Sequence, residues 1–158
     1  MITGVIDLAR LFLDGYQSNK NQKAATHRIR EAIHRELRLN AELTAEATKI
    51  FKNDPDLANA LLVRTQTQAF DALSIAGMPL YEIFSEPWSV MEYSNFRYRS
   101  RFDAISTVGG LVELAYHRVR IQQVRSEVGQ IKDSLALGYL NVLLGKAAQV
   151  TRYQINDS

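Results

Sequence analysis

The sequence predicts an all-α protein, a four-helix up-down bundle with a long first helix and a short irregular, aromatic-rich insertion between helices two and three. Three observations carry this expectation. Residues 2–52 contain no proline and, after Gly15, no glycine. Apolar residues recur at helical spacing along most of the chain. The three prolines, Pro55, Pro79 and Pro87, sit with other breakers at Asn53-Asp54-Pro55, Gly77–Pro79 and Ser85-Glu86-Pro87, so the interruptions are few and well marked.

The first helix opens with a wide apolar face: Val5, Ile6, Leu8, Ala9, Leu11, Phe12, Leu13 and Tyr16. Asp7, Arg10, Asp14 and Gln17 leave one narrow polar stripe. After a polar stretch to Lys23 the period resumes with Ala25, Ile29, Ile33, Leu37, Asn40, Leu43, Ala47 and Ile50. Residues 1–17 are expected to protrude as an amphipathic arm of a single domain spanning 1–158. Asp54 suits an N-cap and Pro55 the first position of a second helix, which should run to Ala76 and stop at Gly77 and Pro79. In the insertion, Phe96, Tyr98, Ser100 and Phe102 alternate with Arg97, Arg99 and Arg101, a strand-like period of two. No other segment offers a β partner, so a third helix is expected from Ser94 to Ile131. Asp133 or Ser134 should cap a fourth, from Leu135 to Tyr153.

Composition excludes several functions. The chain has no cysteine, hence no disulfide, no thiolate nucleophile and no cysteine-ligated zinc. Nineteen basic against 17 acidic side chains give a net charge of +2, which argues against an obligate nucleic-acid binder. The N-terminus lacks a basic region ahead of its apolar residues and does not resemble a secretory signal. No apolar run reaches the ~20 residues of a membrane-spanning helix, and Asp7, Arg10 and Asp14 are a poor polar face for anionic lipid. A cytoplasmic location is the expectation. Phosphate-loop, dinucleotide and serine-hydrolase motifs are missing, and no cofactor is implied.

Two features point to a partner. The fourth helix is apolar nearly all round from Leu135 to Leu144, and it carries small residues at Ser134, Gly138, Asn141, Gly145 and Ala148. A helix without a polar face is normally buried on every side. Either the short 80–98 segment or a second copy of the chain would cover the surplus, and Gly109-Gly110 of the third helix offers a counterpart to the small-residue stripe at a close crossing. The leading expectation is therefore a non-enzymatic scaffold or interaction module, homo-oligomeric and most simply a homodimer, with a self-interface of Val5, Leu8, Phe12, Tyr16, Leu137, Tyr139 and Leu144.

The alternative is a module for a small anionic ligand or a nucleic acid. It would use the basic helix faces at Arg30, Arg35, Arg118 and Arg120, or the aromatic residues Trp88, Tyr93 and Tyr98. Arginine with aromatic rings suits both interfaces and single-stranded nucleic acid. A third expectation, a metal-dependent helical enzyme, rests on the Glu31-x-x-His34 spacing with His27 and His117 nearby in pattern. It lacks the second such motif, and Glu31 stands at ion-pairing distance from Arg28 and Arg35, so no metal ligands are assigned.

Overall fold

A computed structural model describes residues 2–17, 22–93, 96–129 and 134–156. The described residues are mostly helical and contain no strand; one isolated antiparallel bridge joins Pro87 to Thr107. The helices are α1 (Ile2–Gln17), α2 (Gln22–Ile50), α3 (Pro55–Val63), α4 (Gln68–Ile75), α5 (Leu80–Ile83), α6 (Val108–Glu127) and α7 (Ser134–Asn156), with single 3-10 turns at Val90–Glu92 and Arg99–Arg101. The expected caps Ser94 and Asp133 lie outside the described residues, as do the side chains of Ser134 and Leu135.

The spine is α2. Its 29 residues span about 43 Å at ~1.5 Å per residue. Ala25, Ile29, Ile33, Leu37 and Ala47 form its buried stripe, at the spacing the sequence predicts. Helix α7 packs along it, and α3 lies against both α2 and α6.

The N-terminal segment is not a protruding arm. Helix α1 doubles back beside α2 and onto α4. At one end Gly15 faces α2, where an added β-carbon would lie 3.2 Å from that of Ala25. At the other, Val5 shares a depression with Thr65–Gln68, which sit beside Asn40 of α2. Ala9 and Phe12 are buried, and Val5, Leu8 and Tyr16 pack against the core.

The expected second helix divides in two. Its break at Arg64–Thr67 is imposed by polar groups elsewhere. The buried Asn40 side chain donates to the Gln66 carbonyl and accepts from its N–H, both at 2.7 Å. Gln123 of α6 donates to the Thr65 carbonyl at 2.6 Å. These bonds satisfy backbone that a continuous helix would have paired internally. Helix α4 then restarts against Glu36, whose carboxylate accepts from the N–H groups of Ala69 (3.0 Å) and Phe70 (3.4 Å). A carboxylate at a helix N-terminus meets both the orphan donors and the positive end of the dipole.

The third long helix also starts later than expected, at Val108, where the Thr107 hydroxyl accepts from Gly110 N–H at 3.0 Å. Upstream, backbone bonds from Trp88 to Ser106, Val108 to Glu86 and Gly109 to Phe84 tie the irregular segment down. The glycine pair serves this connection and not a crossing with α7. A β-carbon on Gly109 would stand 2.9 Å from the Leu80 carbonyl oxygen of α5.

Much of the apolar surface that suggested a second copy is covered within one chain, although Leu11 of α1 stays exposed. Leu137 is fully buried among Ala47, Ala58 and Leu62, and Leu144 is fully buried in the main core. Tyr139 is 4 % exposed, beneath the rings of Tyr98 and Phe102. Phe12, Leu137, Tyr139 and Leu144 therefore offer no free surface to a partner. Of the small-residue stripe, Gly138 admits the Tyr98 side chain, whose hydroxyl would lie 3.0 Å from a β-carbon there, while Gly145 faces open space.

Candidate functional site

The aromatic segment builds a satellite core. Trp88 is buried, with Tyr93 and Phe102 rings at 6.1 Å, and Phe96 meets Phe102 edge-on at 4.7 Å. Trp88 is thus not an exposed recognition residue. Tyr93 is half-buried with its face taken by Lys146, whose Nζ lies 3.9 Å from the ring centre. Burial lowers the pKa of that lysine. Tyr98 adopts a left-handed backbone (φ 64°), which a bulky side chain rarely accepts. Its buried hydroxyl has no hydrogen-bond partner among the described residues. Strain of this kind persists where surrounding contacts over-determine the position; here Gly138, Tyr139 and two guanidinium groups do so.

The four arginines singled out in the sequence have different fates. Arg30 is a clamp. Its Nε donates to the Ile83 carbonyl (2.7 Å), Nη1 to the Gln154 carbonyl (3.2 Å) and Nη2 to Glu86 Oε1 (2.7 Å), so it ties α2 to α5, the following loop and α7. Arg120 is ion-paired with Asp71 and lies over Phe70. Arg35 is well exposed, 3.9 Å from Glu31. Arg118 joins a concave site with other arginines and has no ion pair among the described residues.

That site is a depression between the Arg99–Arg101 turn, α6 and α7, lined by Arg101, Arg118, Gln122, Arg125 and Tyr139 over a small apolar floor of Ile121, Ala136 and Leu140. Arg118 and Arg125 project from α6 two turns apart, and Arg101 comes from the 3-10 turn. The guanidinium carbons of Arg101 and Arg118 lie 4.6 Å and 5.6 Å from the Tyr139 ring centre. Arg101 also stands 5.7 Å from the Tyr98 ring, and Arg97 5.0 Å. None of Arg101, Arg118 and Arg125 forms an ion pair with a described residue. Gln122, 5 % exposed, has one long bond to Ser126 (3.4 Å).

The chemistry of this arrangement is that of oxyanion binding. Guanidinium is permanently charged, weakly hydrated and shaped to meet phosphate or carboxylate oxygens in pairs. Stacking on Tyr139 holds two of the groups before any ligand arrives, which lowers the ordering cost of binding. The same stacking occupies the aromatic faces, so the rings are not a platform for nucleic-acid bases.

Among the described residues no group of His, Asp and Glu could hold a metal ion. The three histidines do not converge. His34 bonds Thr151 of α7, His117 lines a separate groove with Phe70 and Arg120, and His27 lies 3.8 Å from Glu31. Sequence reasoning missed Glu36 as a special carboxylate. Burial is the main cause of its raised pKa, opposed by the N–H groups of α4. The Tyr116 hydroxyl lies beside it without closing a bond of ordinary length; burial first, and that carboxylate second, push the phenol well above its usual value. Glu36 is committed to capping α4.

A scan against protein-family models finds no match, and neither curated proteins nor solved structures yield a similar chain. Among the described residues no helix is long and apolar enough to cross a membrane.

Proposed function

We propose that this chain is a binding module for a small anionic ligand bearing phosphate or carboxylate groups, held by Arg101, Arg118 and Arg125. The observation that carries this reading is the convergence of three arginines without ion-pair partners among the described residues, from two separate elements, on one concavity walled by Tyr139. Unpaired guanidinium groups repel one another at short range, and a bound oxyanion relieves that repulsion. Self-association is the weaker reading, because Phe12, Leu137, Tyr139 and Leu144, four of the seven residues on which it rested, are buried in one copy.

The test is calorimetric titration with inorganic pyrophosphate at low and high salt. Binding should weaken as salt screens the site. The Arg118→Gln, Arg125→Gln double variant should lose about tenfold or more in affinity, as removal of charge-assisted hydrogen bonds implies. Absence of binding, or binding that the double variant leaves intact, would refute the assignment.

A further inference from the structure

On the opposite side of α7 from this depression, a second groove runs between α2 and α7. It is lined by His34 and Arg38 of α2 and by Gly145, Gln149, Arg152 and Tyr153 of α7, among others, with no carboxylate in its walls. Three features distinguish it from an ordinary solvated face.

First, the floor is open. A β-carbon on Gly145 would meet nothing within 4 Å, so the helix backbone itself borders the space. Second, the cations are under-used. Arg152 has no ion pair among the described residues, and Arg38 engages Glu42 through Nε alone (3.1 Å), leaving its two terminal nitrogens unpaired there. Third, the histidine is anchored at the groove. Its Nδ1 lies 3.0 Å from the Thr151 hydroxyl of α7, which in turn reaches the Ala147 carbonyl at 2.9 Å and the Ala148 carbonyl at 3.2 Å.

We infer that this groove is a second binding site, for a tetrahedral oxyanion of the sulfate and phosphate class, with Arg38 and Arg152 balancing its charge and His34 supplying a further donor. The inference stands independently of the arginine depression and uses none of its residues.

Proton uptake follows from the charges around the ring. Those facing His34 are Arg35 and Arg38 on its own helix and Arg152 on α7; Tyr153 is the other titratable group of the α7 wall. Glu31 and Glu42 on α2 are turned to Arg35 and Arg38. Burial is the first cause of the lowered His34 pKa and the three arginines add to it, while the Ala148 carbonyl favours the protonated ring. The empty groove therefore holds a neutral imidazole at neutral pH. An anion placed among these cations reverses the local field and favours imidazolium, in which both ring nitrogens are donors. Anion binding and His34 protonation must then be linked.

Sulfate is the clean probe, since it stays dianionic where a phosphate monoester itself titrates, with a second pKa of about 6. Sulfate affinity should rise on lowering the pH from 8 to 6, approaching about tenfold per unit where one proton is taken up. The His34 ring resonances should report a higher pKa with sulfate than with chloride at equal ionic strength. Inorganic phosphate and glycerol phosphate, compared at one pH, separate a free-anion site from one that takes an esterified phosphate; binding of either supports the site. Arg152→Gln alters an exposed side chain and should abolish the sulfate-induced shift, whereas Arg118→Gln, Arg125→Gln should leave it intact. A His34 pKa that is indifferent to sulfate, or a sulfate response that survives Arg152→Gln, would overturn the inference.

Discussion

Arg30 and Arg118 are both arginines on long helices, and the protein uses them oppositely. Arg30 has its guanidinium consumed by two carbonyls and a carboxylate, and its side chain is only 13 % exposed. Arg118 rests on an aromatic face, has no ion-pair partner among the described residues and opens onto a concavity. The difference teaches that an arginine-rich sequence gives no count of available charge. A charge whose hydrogen-bonding capacity is spent on the protein's own backbone holds the fold. One that is positioned but unspent can meet a ligand.

The largest expected effect sharpens the first half of this contrast. Arg30→Met should destabilise the chain by about 2 kcal/mol, since it removes the donor to two carbonyls and the ion pair to Glu86 in a partly buried site. Chemical denaturation measures it, and a loss below ~1 kcal/mol would show that the clamp is dispensable. Glu36→Ala is of similar size, at about 2 kcal/mol, because the N–H groups of Ala69 and Phe70 lose their acceptor.

The pH dependence of Glu36 is a smaller effect with a definite sign. Its folded pKa is raised above the ordinary 4.5, chiefly by burial. The folded state therefore holds the proton more tightly than the unfolded state. The stability this group contributes is fully present below pH 4.5 and is lost as pH rises through the higher folded value. Relative to Glu36→Gln, the natural protein should gain stability on acidification from pH 7 toward 4.5. Parallel stability curves for the two proteins would contradict the assignment. The smallest expected change is in the Arg118→Gln, Arg125→Gln protein, whose stability should stay within about 0.5 kcal/mol of the natural chain while its anion binding falls.

Much of the backbone was legible in the sequence. The α2 stripe from Ala25 to Ala47 follows its apolar period. Asp54 caps α3 with Pro55 in its first turn, and Gly77 takes the positive φ (67°) that ends the helical stretch before Pro79. What was hidden depended on contacts distant in the chain. No local signal breaks a helix at Arg64–Thr67; Asn40 and Glu36 do so from distant positions on α2, and the one available clue was the run of polar residues Glu36, Asn40 and Thr44 at steps of four on its buried face. The alternating Phe96–Phe102 pattern resembled a strand, yet a left-handed Tyr98 and a 3-10 turn satisfy it by sending the rings into the satellite core.

The site was legible in parts. Arg118 was identified from its basic helix face, but its companions came from a turn and from the far end of α6. Their meeting depends on how α7 presents Tyr139. The apolar stretch of α7 demands cover, and α2, α3, α6 and the aromatic segment of the same molecule supply it for Leu137, Tyr139 and Leu144, while Gly145 faces open space. One-dimensional pattern gives the amount of surface to be hidden without saying what hides it.

The contrast between spent and available arginines can be observed directly by following the arginine Nε–H resonances during addition of inorganic pyrophosphate. Arg101, Arg118 and Arg125 should shift together along one saturating curve, with Arg30 and Arg120 unmoved. Uniform small shifts at every exposed arginine, or none at these three, would contradict the account.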